Sequence, residues 1–193
     1  MRCSNEVGPR IFPRHVYVMT PPHWPKDIVY LTSPKYHASV SLGARKFMEP
    51  SPVKKGAWAK SSAVAIRRIS RPEHPAFGQL GLFAAKKIAP KTHIVDYIGE
   101  IHCENRLDSD YDLCLHRFED GSCIGVDAGK MGNEARFVND FRGIKDKPNA
   151  VFVDRRSELG DLRMGIWSSH EGIKKGEEIV VSYGKAWWHA RTK

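Results

Sequence analysis

The sequence predicts a mostly β domain of small sheets and short helical pieces, preceded by a basic, proline-rich arm. Three observations carry this reading. After Gly81 the apolar residues come in short runs, each closed by a turn signal. No helix-period run after residue 76 exceeds three turns. Composition changes near Pro75-Ala76: residues 1–75 hold 13 of the 31 Lys and Arg, 4 of the 22 Asp and Glu and 10 of the 12 Pro, so the whole net charge of +9 lies before the break. The 41% hydrophobic content is enough for a packed core and argues against a disordered chain. No stretch approaches the ~20 apolar residues of a membrane span, and Met1 to Glu6 opens no apolar leader segment. Four cysteines are too sparse for a disulfide scaffold, which favours a reduced intracellular compartment.

The elements follow in order. Residues 1–61 form the arm, expected to be mostly loop because Pro9, Pro13, Pro21, Pro22, Pro25 and Pro34 remove backbone donors. Trp24, Tyr30, Leu31 and Tyr36 are apolar enough to pack part of it on the domain, and Ser33 to Phe47 has room for one short helix. The domain proper, residues 62–193, opens with an edge strand over Ser62–Ile69. Strands are expected at Leu82–Ala85, at His93–Ile98 after the Pro90-Lys91 turn, and at Tyr111–His116. Glu119 to Ser122 then makes a hairpin turn to Cys123–Asp127. Ala150–Val153 and Leu162–Trp167 read as a further pair, and the turn Lys174–Glu177 leads into Glu178–Val181.

No phosphate loop, no Gly-x-Gly-x-x-Gly between strand and helix and no Gly-x-Ser-x-Gly elbow is present, so nucleotide-cleft and serine-hydrolase chemistries have no motif here. Four separated patches stand out instead. They are Gly78-Gln79-Leu80-Gly81-Leu82-Phe83-Ala84 with Tyr97-Ile98-Gly99-Glu100; Asp110-Tyr111-Asp112-Leu113; Gly132 to Asp140 with Pro148-Asn149; and Gly176-Glu177-Glu178-Ile179-Val180-Val181-Ser182-Tyr183-Gly184. In order and spacing this series resembles the SET domain of protein-lysine methyltransferases over roughly residues 62–188. The resemblance implies small curved sheets with a pseudo-knot, formed where the C-terminal segment threads near the Asn-bearing one. It also implies S-adenosylmethionine as methyl donor and a lysine side chain of a protein, histones included, as acceptor.

Residue by residue, the resemblance puts Leu80, Gly81, Tyr111, Arg136, Asn139, Asp140, Tyr183 and Trp187 at the cofactor. Tyr183 and Tyr111 become the catalytic pair, and Tyr111, Val181 and Tyr183 line the lysine channel. Elementary chemistry agrees. A bare Gly81 lets backbone approach a ligand, and an Asn amide both donates and accepts. Methyl transfer from a sulfonium to an amine is an in-line displacement, so alignment outweighs acid–base strength. The amine must be neutral although free lysine has a pKa of ~10.4; an aromatic channel and a nearby cation lower it. The chain departs from the family at three positions. Gln79 stands where a glycine is usual, Asp140 replaces a His, and Val181 replaces a Phe or Tyr, which would leave room for more than one methyl.

His102, Cys103, Cys114, His116 and Cys123 supply nitrogen and sulfur atoms, but no Cys-x-x-Cys pair is present, so no metal is expected. Asp108, Asp110 and Asp112 with Glu100 and Glu104 are placed to guide a basic peptide. The arm has the charge for weak contact with nucleic acid but no reading motif. A monomer, acting in the nucleus with the cytoplasm as the alternative and not secreted, completes the expectation. Two other readings stay open: a catalytically silent SET-type module docking on chromatin or protein through its arm, and a nucleic-acid-binding protein.

Overall fold

A computed structural model describes residues 19–49, 61–157 and 160–191. The first eighteen residues, with Pro9 and Pro13, lie outside the described residues. Two short strands come first, β1 (Val29–Tyr30) and β2 (Lys35–Tyr36), then helix α1 (Leu42–Met48). α1 starts where Ser41 caps it: its Oγ accepts the Ala44 N–H at 3.1 Å. The one short helix for which Ser33 to Phe47 had room thus forms at the back of that stretch, because Pro34 and the β2 strand occupy its front half. β3 (Val64–Arg68), β4 (Leu80–Ala84), β5 (His93–Asp96), β6 (Glu100–His102), β7 (Asp112–Arg117), β8 (Cys123–Asp127) and β9 (Met131–Gly132) follow. A 3-10 turn at Glu134–Phe137 leads into β10 (Asn139–Asp140), then β11 (Ala150–Arg156), β12 (Leu162–Ser168), β13 (Val180–Val181) and helix α2 (Lys185–Arg191).

These strands make small sheets, as expected: four strands in the order β2-β6-β8-β7, three in the order β11-β12-β5, and the pairs β3–β4, β1–β9 and β10–β13. Among the described strands β3 pairs only with β4, and it is the edge strand the sequence predicts. The β7–β8 hairpin turns through Gly121 at φ +84°, a conformation that glycine adopts without strain. The core between the sheets is aliphatic; Leu82, Ile124, Ile166, Ile179, Val180 and Val181 are wholly buried. Each such side chain contributes about 1.5–3 kcal/mol over its exposed state.

The compositional break near Pro75 is not a break in packing. β1 runs parallel to β9 and β2 parallel to β6. Met48 is 2% exposed, and the Trp24 ring stands 5.5 Å from Phe137. Lys and Pro report charge and backbone freedom; the apolar residues among them decide what is buried.

Where the sparse cysteines favour a reduced compartment, Cys114 and Cys123 are nonetheless joined as a disulfide, with Cα atoms 6.3 Å apart. A register shift between Cys114 and His116 pairs Cys114 with Gly125, which puts Cys123 diagonally across on the same face. Cys103 is free and exposed.

The chain crosses itself near its C-terminal end. The Ala84 and Ile179 amides donate to Glu177 and Leu82 carbonyls, so residues 177–179 run beside β4. Immediately afterwards β13 pairs in parallel with β10. Asn149 staples the crossing: its side chain donates to the Glu178 carbonyl at 2.8 Å and accepts the Val180 N–H at 2.9 Å, as a strand neighbour would.

Candidate active site

The crossing aims Tyr183 into the domain. β13 ends at Val181, and Asp140 Oδ2 on the adjacent strand accepts the Tyr183 backbone N–H at 2.8 Å. The Tyr183 hydroxyl then donates to the Val138 carbonyl at 2.7 Å. Burial, aided by Asp140 and Tyr111, pushes the Tyr183 hydroxyl well above the usual tyrosine range. A second phenol, this one buried, stands nearby. The Tyr97 hydroxyl donates to the Tyr111 carbonyl at 2.9 Å, and complete burial raises its pKa too. Neither tyrosine ionises at neutral pH, so neither is a strong base.

Around them lies a narrow aromatic cavity of about 20 Å³, lined by Tyr97, Asp110, Tyr111, Leu113, Arg136, Val138, Phe152, Tyr183 and Trp187. That is room for about one water molecule. The Arg136 guanidinium lies 4.3 Å from the centre of the Tyr111 ring and donates through Nε to the Ala128 carbonyl. Trp187, on α2, meets the Tyr183 ring edge-on at 4.8 Å. Arg191 lies over the Trp187 ring, 4.1 Å from its centre, and pairs with Asp110.

Of the residues picked from sequence, Tyr111, Arg136, Tyr183 and Trp187 share this cavity. Asp140 sits behind it: besides Tyr183 it accepts from Arg142 and from Trp188 Nε1. Asn139 neighbours Asp140 on β10, with its Nδ2 donating to Glu178. Leu80 and Gly81 are strand residues of β4, opposite Arg68 and Arg67, rather than a turn. Val181 is wholly buried and does not line the cavity; Leu113 and Phe152 do. Tyr97, Leu113 and Phe152 were not assigned to the channel from sequence. The signal for Tyr97 was its place in the Tyr97-Ile98-Gly99-Glu100 part of the first patch, at the end of an expected strand.

Beside Tyr111 opens a larger cleft of about 650 Å³ with Glu100, Glu104, Asp108, Asp110 and Asp127 on its walls. Its charge is largely met from within. Arg106 pairs with Glu100, Glu104 and Asp127, and Asp112 turns away to His102.

Comparison with known proteins agrees with this geometry. The family model for the SET domain matches residues 79–184, more than half of the chain. The human histone-lysine N-methyltransferase EHMT1 is 28% identical over 116 residues, which are 58% of this chain and 9% of that protein. The Arabidopsis thaliana histone-lysine N-methyltransferase ASHR3 is 30% identical over 127 residues, 60% of this chain and 23% of that protein. The chain thus spans less than a quarter of the length of either curated relative. A structure of ATXR5 in complex with mono-methylated histone H3.1 shares the fold, with a TM-score of 0.60 at 18% identity, covering 82% of each chain.

Proposed function

The chain belongs to the SET-domain family, and from that premise we propose that it is an S-adenosylmethionine-dependent protein-lysine N-methyltransferase acting on a histone tail. One observation carries the proposal: two phenols, the half-buried Tyr183 and the buried Tyr97, each donating to a backbone carbonyl, inside one aromatic cavity. Their donor protons are engaged, so each oxygen turns its lone pairs into the cavity. A neutral lysine amine entering there can donate an N–H to Tyr183 and point its lone pair inward. Aromatic walls strip water from the amine and favour its uncharged form. Because the phenols stay protonated, the amine's proton leaves to water and not to a side chain.

The residues fit the cofactor. S-adenosylmethionine, when bound, supplies a methyl group on a sulfonium centre together with ammonium and adenine N–H donors. Asn139 Oδ1 takes no hydrogen bond from any described residue and is available to accept one. Arg136, Tyr111, Tyr183 and Trp187 offer aromatic and polar walls in the cavity. Asp140, replacing the family's His, still serves the site by holding the Tyr183 backbone. EHMT1 and ASHR3 are both histone-lysine N-methyltransferases, which supports a histone substrate and, with it, a nuclear place of action. No described helix is long and apolar enough to cross a membrane.

The test is direct. Calorimetry with S-adenosylmethionine should show binding, and mass spectrometry of histone H3 incubated with protein and cofactor should show added methyl groups on lysine. Binding without transfer to any core histone would support the silent docking module instead.

A further inference from the structure

Two buried residues outside the cavity, His74 and Glu178, govern Asn139. We propose that they are positioning residues for the cofactor: a relay from the Ala76 backbone through both side chains holds the Asn139 amide with its carbonyl oxygen turned to the ligand. The inference rests on the S-adenosylmethionine reading above.

The polarity of the relay follows from its ends. The Ala76 N–H donates to His74 Nδ1 at 3.0 Å, so that nitrogen carries no proton. The imidazole proton is therefore on Nε2, which lies 2.9 Å from Glu178 Oε2. A carboxylate only accepts, and its other oxygen, Oε1, lies 2.9 Å from Asn139 Nδ2. Which end of an amide points where is usually a matter of assignment; here an acceptor-only neighbour decides it. The NH2 end faces Glu178, and Oδ1 faces away.

The pair is deeply placed, with the His74 side chain 1% and the Glu178 side chain 6% exposed. Apolar replacement of such a buried pair is often neutral or stabilising, so stability alone is a weak reason for it. The surroundings make room for it. A Cβ on Gly81 would stand 3.0 Å from Glu178 Oε1, so the bare position in β4 leaves space for the carboxylate. Gly81 thus supports the cofactor site through Glu178. Glu178 also lies where the chain passes from β4 to β10, within reach of both strands.

The test is calorimetric titration of the full chain with S-adenosylmethionine, paired with steady-state kinetics. Glu178→Gln keeps one acceptor oxygen and puts an NH2 group in place of the other, so only one of the two donors is still met; with the oxygen kept by the His74 Nε2–H, Asn139 must turn its own oxygen inward to meet the NH2. Affinity should fall about tenfold or more, as expected for one lost hydrogen bond to a charged donor, with kcat at saturating cofactor nearly unchanged. The double variant Glu178→Gln, Asn139→Asp restores an outward acceptor and should recover much of that affinity. His74→Ala should also weaken binding, whereas His74→Gln, whose amide nitrogen replaces the Nε2–H donor, should rescue it. Equal affinity in wild type and Glu178→Gln overturns the relay. So does a melting midpoint that falls while affinity holds, the mark of a merely structural pair. If Glu178→Gln does not fold, equal affinities of His74→Gln and His74→Ala overturn it. A wild-type chain that binds no S-adenosylmethionine removes the functional reading as well, which separates the two failures.

Discussion

Replacing Tyr183 by Phe removes one oxygen and nothing else of size. That oxygen donates to the Val138 carbonyl at 2.7 Å and faces the cavity. The carbonyl then loses its side-chain donor, at a cost of about 1–2 kcal/mol, which lowers the melting midpoint by about 2–8 °C for a chain of this size. The Phe ring keeps the contact with Trp187, so cofactor affinity should stay within about threefold. Turnover should fall much further. Losing one preoriented polar contact to a reacting group costs about a hundredfold to a thousandfold in kcat. The assay is transfer of labelled methyl from S-adenosylmethionine to histone H3 at saturating cofactor, beside calorimetric binding of the same preparations. Turnover of Tyr183→Phe within about threefold of wild type would refute the alignment role.

Other variants test the surroundings. Asp140→Ala leaves the Tyr183 N–H without its acceptor and should cost about 1–3 kcal/mol in denaturant unfolding; Asp140→Asn, which keeps an acceptor oxygen, should recover most of it and most of kcat. Burial pushes the Asp96 carboxyl up, but the His93 hydrogen bond and the Arg155 and Arg163 guanidiniums outweigh it and hold the group below the usual range. Its folded value lies below its unfolded one, so its contribution is present above pH ~4 and lost as pH falls through the folded value. Thermal melts should therefore show a steeper acid limb in wild type than in Asp96→Asn, and equal limbs would contradict this. Val181→Phe crowds a wholly buried position and should lower stability by about 1–3 kcal/mol, while mass spectrometry of the products reads whether methyl number also changes.

The parts legible in sequence were those that short-range signals control. β8 begins and ends where the hairpin turn and Asp127 predict, because turn chemistry and alternation act locally. Two-residue strands such as β1, β9, β10 and β13 carry no periodicity, and their parallel partners lie far along the chain. The disulfide was hidden by a register shift near Leu115, which spacing alone cannot reveal. In the site, Tyr111, Arg136 and Tyr183 stood in recognisable patches. Phe152 sits in the middle of an ordinary strand, and His74 lies before any patch. What singles them out is burial and direction, which only the folded chain supplies.

The self-crossing also dictates when the site can exist. Tyr183 is held by Asp140 and Val138, while Val180 is held by Asn149. Each of these contacts joins residues roughly 30 to 45 positions apart, so loop closure precedes any gain from them. Such high-contact-order elements form slowly. During synthesis the β3–β4 and β7–β8 hairpins can pair as soon as they emerge. The cavity must wait for residues 177–191, and until then the β4 flank and the β10 edge have no partner. The reactive pocket is thus the last part of the domain to be made, and a ribosome stalled before Val180 would carry a nearly complete domain without a site.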